Sequence, residues 1–156
     1  MTYAAYVQSE LDREYARRDS MNARAATVIT GSTGLGTLVL AATAVVNGQN
    51  HPNRGAAELW MICGVGSLLA AAIIAILAGV SWKYVVTDEA TLKAMIGDQW
   101  AATDVTARNT VASSNIRTLV SLRAGTNIKT NLLLGAYALQ TLSIAALLGG
   151  VISIVQ

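Results

Sequence analysis

The stretch that decides the fold is Ala26–Leu40, ATVITGSTGLGTLVL. Its middle, Thr30-Gly31-Ser32-Thr33-Gly34-Leu35-Gly36, carries the residue types of a dinucleotide-binding phosphate loop. Such a loop reads Thr-Gly-x-x-x-Gly-x-Gly or Thr-Gly-x-x-Gly-x-x-Gly. It follows a strand, opens a helix, and is answered by an acid about 20 residues on. The glycines here fall one residue off either pattern, and nothing downstream alternates strand and helix. Glu58 stands near the required distance, but at the mouth of a long apolar run. The alternative is a membrane helix in which Gly31, Gly34 and Gly36 let another backbone approach, with hydroxyls bonding across the contact. Thr30, Thr33 and Thr37 recur at i, i+3 and i+7 and so share one face. Together with Gly31 and Gly34 they are the candidate helix-packing or pore-lining residues.

The distribution of charge supports the membrane reading. Of the 156 residues, 53% are hydrophobic and 13% charged, against about 25% charged in an ordinary soluble domain. No charge lies between Arg24 and Arg54, between Glu58 and Lys83, or after Lys129. A helix needs roughly 20 apolar residues to cross the hydrocarbon, and each of these runs supplies that many. We therefore expect an all-α integral membrane protein with transmembrane spans at 25–46, 59–82 and 130–155. In Leu59–Trp82, LWMICGVGSLLAAAIIAILAGVSW, the indoles of Trp60 and Trp82 stand about 33 Å apart along a helix. That spacing suits anchors at the two membrane interfaces. A soluble chain of this length has too little protein to surround three such helices.

Ten of the eleven Lys and Arg residues fall before the first span or between the second and third. The excess of positive charge on cytoplasmic segments then predicts a cytoplasmic N-terminus and an external C-terminus. A cleaved signal peptide fits poorly, because Glu10, Asp12, Glu14 and Asp19 mix signs through a long leading region. The external loop, 47–58, NGQNHPNRGAAE, reads as turn, and His51 in it is the sole histidine.

Two cytoplasmic segments remain. Residues 1–24 read as an amphipathic helix continuous with the first span. Tyr3, Val7, Leu11 and Tyr15 recur every fourth residue, and Glu14 can pair with Arg18. Residues 83–129 read as a helical hairpin whose ends meet the same membrane face. Thr87, Asp88 and Glu89 signal one helix start, with Leu92, Met95, Ile96 and Trp100 as its apolar face. A second helix begins near Asp104. Val105, Ala112, Ile116 and Leu119 form its short seam, and Gly125-Thr126-Asn127 links it to the third span. Arg17, Arg18, Arg24, Arg123 and Lys129 are placed to meet lipid headgroups.

Nothing in the sequence points to an enzyme, a cofactor or a metal site. One cysteine, Cys63, sits among apolar neighbours, and no nucleophile–base set or phosphate loop is present. The acids Asp88, Glu89, Asp98 and Asp104 fall at helix starts or turns, where capping explains them. A net charge of +2, with no basic groove and interleaved aromatics, gives no case for nucleic acid.

Two segments carry a resemblance. Leu11–Val39, LDREYARRDSMNARAATVITGSTGLGTLV, resembles the approach to the first membrane helix in small actinobacterial and actinobacteriophage membrane proteins. Leu122–Ala136, LRAGTNIKTNLLLGA, with Asn127 and Lys129, resembles the start of their third span. More distantly, the layout is similar to compact anti-phage membrane effectors, the Pycsar transmembrane effectors and SLATT-domain proteins. The resemblance implies a homo-oligomer in the bacterial inner membrane that damages the bilayer when a phage-derived or host protein trigger is sensed. No separate sensor domain accompanies the spans here. Superinfection exclusion, which blocks phage DNA uptake, and a non-conducting scaffold or partner subunit are the alternatives. A coupled transporter is disfavoured because no charged residue lies inside a span.

Overall fold

The computed structural model describes residues 3–46, 54–80, 90, 93 and 103–155, and arranges all but Val80 and Thr103 as helix. Three long helices result: α1 Tyr3–Val46, α2 Arg54–Gly79 and α3 Asp104–Val155. The fold is all-α, and α1 is the single long helix expected of that segment.

Local chemistry sets the ends. Thr103 caps α3: its Oγ1 accepts the backbone N–H of Thr106 at 3.4 Å. Asp104 lies in the first turn, where a carboxylate favours the helix dipole, and pairs with Arg108 at 2.7 Å. α3 then runs through Gly125-Thr126-Asn127 without interruption, where a link was expected. Those residues carry no proline, so a packed helix absorbs them. α2 begins at Arg54, so 54–58 is helix rather than the end of the external loop; Ala56, Ala57 and Glu58 are good helix formers. The first hairpin arm with Thr87, Leu92, Met95, Ile96 and Trp100 lies outside the described residues. So do His51 and Trp82.

The chain divides into two compact units, residues 1–20 with 81–128, and residues 21–80 with 129–156. In the first, α1 and α3 run parallel. Leu11 packs with Leu119 and Leu122, Gln8 meets Asn115, and Glu10 meets Arg123. Val7, Leu11 and Glu14 face inward, while Tyr15 is exposed. The reason is geometric: each i+4 step overshoots a full turn by about 40°, so a strict fourth-residue stripe rotates off the contact. On α3, Val105 and Ile116 are exposed; Leu119 holds its expected seam position, and Thr118, Leu122 and Thr126 join it.

In the second unit α1 and α3 are again parallel and α2 runs antiparallel to both. Ala78 packs with Ala25 and Leu133; one turn further, Ala75 packs with Val28 and Ala136. Nearer the other end, Ser143 Oγ donates to the Gly64 carbonyl at 2.7 Å. The inward positions on α2 are Ala57, Gly64, Leu68, Ala71, Ala75 and Ala78. Their alternating steps of three and four are the period of left-handed coiled-coil packing. Small side chains fill most of this seam, so the helices sit close. A β-carbon on Gly64 would lie 2.7 Å from Leu147 Cδ2.

Two helical stretches are long and apolar enough to cross a membrane, Ala57–Gly79 and the apolar part of Asp104–Ser153. Only 28% and 22% of their most apolar windows is buried, where a helix in a soluble core would be mostly covered. Their outward faces carry Ile62, Leu69, Ile73, Ile76, Leu134, Leu142 and Leu148. Residues 25–46 of α1, expected as a span, are not among these two stretches.

The close packing predicts a contrast between glycines. Gly64→Val lowers stability in detergent micelles by about 1–3 kcal/mol through overpacking. Gly66→Ala, with open space around the new methyl, is neutral or stabilises by up to about 1 kcal/mol. Chemical unfolding followed by circular dichroism checks both.

Candidate functional site

Two faces of α1 concern function, one turned outward and one turned into the seam. Thr30, Thr33, Gly34 and Thr37 lie on the outward face and are exposed in the protomer. Their hydroxyls are not free: Thr30 Oγ1 donates to the Ala26 carbonyl at 3.0 Å and Thr33 Oγ1 to Ile29 at 2.9 Å. Thr37 Oγ1 donates to Thr33 at 2.8 Å. Such bonds to the preceding turn satisfy a hydroxyl in apolar surroundings while leaving its oxygen able to accept. Gly34 has nothing within 4 Å of where a β-carbon would stand. Gly31 belongs to a different side of the helix. A β-carbon there would lie 2.9 Å from Gln140 Nε2 on α3. The candidate set therefore divides into an unoccupied hydroxyl face and a glycine notch.

The inward face of α1 in this unit is Ala25, Val28 and Ser32. It continues the three–four spacing, and α3 answers with Lys129, Leu133, Ala136, Gln140 and Ser143. Lys129 departs from its expected place at the headgroups. Its residue is 1% exposed, and Nζ donates to Asn22 Oδ1 at 2.8 Å. The cause is register: Lys129 follows Leu122 by seven positions and precedes Leu133 by four, which puts it on the inward stripe. A buried ammonium persists only where acceptors are built around it, and Asn22 is one. The three–four spacing from Leu119 through Leu133 is the sequence signal that would have revealed it.

The other basic candidates are more accessible. Arg17 and Arg24 are exposed and Arg18 is half-buried. In the first unit Arg123 Nη2 lies 2.7 Å from Glu10 Oε2, and its Nε lies 3.9 Å from Glu14 Oε2. Arg17 Nη1 stands 3.6 Å from Glu14 Oε1 and Nη2 donates to Asn127 Oδ1 at 3.4 Å. Glu14 thus pairs with Arg17 and Arg123, not with Arg18 as the spacing suggested. Buried on the seam, it faces a parallel helix that supplies a second guanidinium. Trp60 is exposed on one side and lies against Gly149 and Gly150 on the other.

Among the described residues no group of three or more His, Cys, Asp or Glu could hold a metal. The described residues offer helix packing, a hydroxyl-lined surface and buried hydrogen bonds.

The Lys129–Asn22 bond predicts a non-additive pair. Asn22→Leu removes an acceptor from a buried charge and costs about 1–3 kcal/mol. Adding Lys129→Met removes the charge as well and recovers much of that loss. A double-mutant cycle by chemical unfolding in micelles measures the coupling.

Compared with protein-family models, curated proteins and solved structures, the chain matches none.

Proposed function

We propose that this chain is a three-span membrane effector, bacterial or prophage-encoded, whose copies assemble through the hydroxyl face of α1 and permeabilise the inner membrane during phage infection. The observation that carries the reading is the outward placement of Thr30, Thr33 and Thr37 with Gly34 beside them. On α2 and α3 the outward side chains are large and apolar, suited to lipid. On α1, Thr30, Thr33 and Thr37 set small hydroxylated side chains beside Gly34, suited to another helix or to water, ahead of the exposed Leu38 and Leu40. A helix bearing that face, held parallel to α3 and antiparallel to α2, serves as the first of three spans. The asymmetry of Lys and Arg sets the N-terminus in the cytoplasm and the C-terminus outside. The phage setting rests on the resemblance of Leu11–Val39 and Leu122–Ala136 described above, and a phage-derived or host protein is the proposed trigger.

A second reading has its own observation. Each threonine of the face already satisfies its hydroxyl on its own helix, so the face can also pack dry. The protein would then be a non-conducting scaffold, or a superinfection-exclusion protein that blocks DNA uptake without leak.

The double substitution Thr33→Leu with Thr37→Leu separates them. In the effector reading it reduces ion leakage from reconstituted vesicles to the level of protein-free vesicles. In cells it abolishes the depolarisation on phage challenge that a voltage-sensitive dye reports for the unmodified protein. Unchanged leakage in the double variant contradicts a pore lined by this face. Phage exclusion with steady polarisation in the unmodified protein favours the block at uptake.

A further inference from the structure

We infer that the helix seam of the second unit holds a water molecule between Ser32 and Gln140. Ser32 is 4% exposed, and its Oγ has no hydrogen-bond partner. The other described serine and threonine hydroxyls of this unit are engaged. Thr27, Thr30, Thr33 and Thr37 on α1 bond to their own helix, as do Ser67 on α2 and Thr141 and Ser153 on α3. Thr130 contacts Met21, and Ser143 reaches Gly64. On α1, Ser32 forgoes the carbonyl one turn back, an acceptor that Thr27, Thr30, Thr33 and Thr37 use. It stands on the inward stripe with Ala25 and Val28.

Gln140 supplies the other half. It occupies a seam position on α3, and its Nε2 rests over Gly31, the residue before Ser32. Its amide offers both a donor and an acceptor. The absence of a side chain on Gly31 is what admits the amide at this level.

The chemistry of the position selects the occupant. A hydroxyl in apolar surroundings without a partner is costly. The nearby seam residues Val28, Ala75 and Ala136 are uncharged, so a bare ion would find no counter-charge among them. Burial shields Ser32 from side chains of another copy. A water molecule, donating and accepting in two to four bonds, fits a small polar site inside a protein. The site belongs to each protomer and stands whether or not the hydroxyl face assembles copies. It places a hydrated step within the three-helix interior, apart from the threonine face.

The test uses the full chain in detergent micelles and compares the unfolding midpoints of two variants. Ser32→Ala is expected to lower the midpoint relative to Ser67→Ala, whose hydroxyl bonds only its own helix. A midpoint raised relative to that control means that the hydroxyl was an uncompensated buried group, and overturns the water site.

Discussion

The helices of the second unit can come together only where their facing side chains are small, and the rest of the structure depends on that constraint. Ala25, Ala71, Ala75, Ala78 and Ala136 form the contact, with Gly64 meeting Leu147 and Ser143. Large side chains at these positions would separate the backbones and break the Ser143–Gly64 bond. Small residues bring the opposite result: the large apolar side chains have nowhere to go but outward. That is why Ile62, Leu69, Ile73, Leu134 and Leu142 are exposed. In water such a surface would be unstable, since burying apolar area drives folding. In hydrocarbon it is solvated, and association rests on close packing and hydrogen bonds instead.

α1 obeys the same inward rule with a different outward one. Its inner stripe of Ala25, Val28 and Ser32 matches the small seams of α2 and α3, but its outer face carries Thr30, Thr33, Gly34 and Thr37 ahead of Leu38 and Leu40. A face with little apolar bulk gains less from lipid than those of its two neighbours. It gains more from a second helix, whose backbone can approach Gly34 and whose donors can reach the threonine oxygens. The chain places small residues inward on all three helices, and on α1 it also gathers Thr30, Thr33, Gly34 and Thr37 on the outward side.

Much of this was legible in the sequence. The charge-free runs identify helices α2 and α3 as candidate spans, and the continuous pattern from Tyr3 to Val46 gives α1 as one helix. The start of α3 is readable from Thr103 and Asp104. The seam was not legible, because hydrophobicity was the tracer and the seam is interrupted by Glu14, Ser32, Thr126, Lys129 and Gln140. Their spacing, by threes and fours, keeps the contact register even where their chemistry hides it. Reading Tyr3, Val7, Leu11 and Tyr15 as a stripe followed apolar identity along a drifting line, and so missed Glu14. Lys129, taken by charge alone, belongs at a membrane surface; taken by register, it belongs inside.

The central claim is that α1 crosses the membrane with α2 and α3, and its most direct test is the side on which each terminus lies. Reporter fusions before Met1 and after Gln156, one active only in the cytoplasm and one only outside it, read this in intact cells. Three spans predict an N-terminal fusion active inside and a C-terminal fusion active outside. Both termini on the same side would leave α1 out of the bilayer and contradict the account.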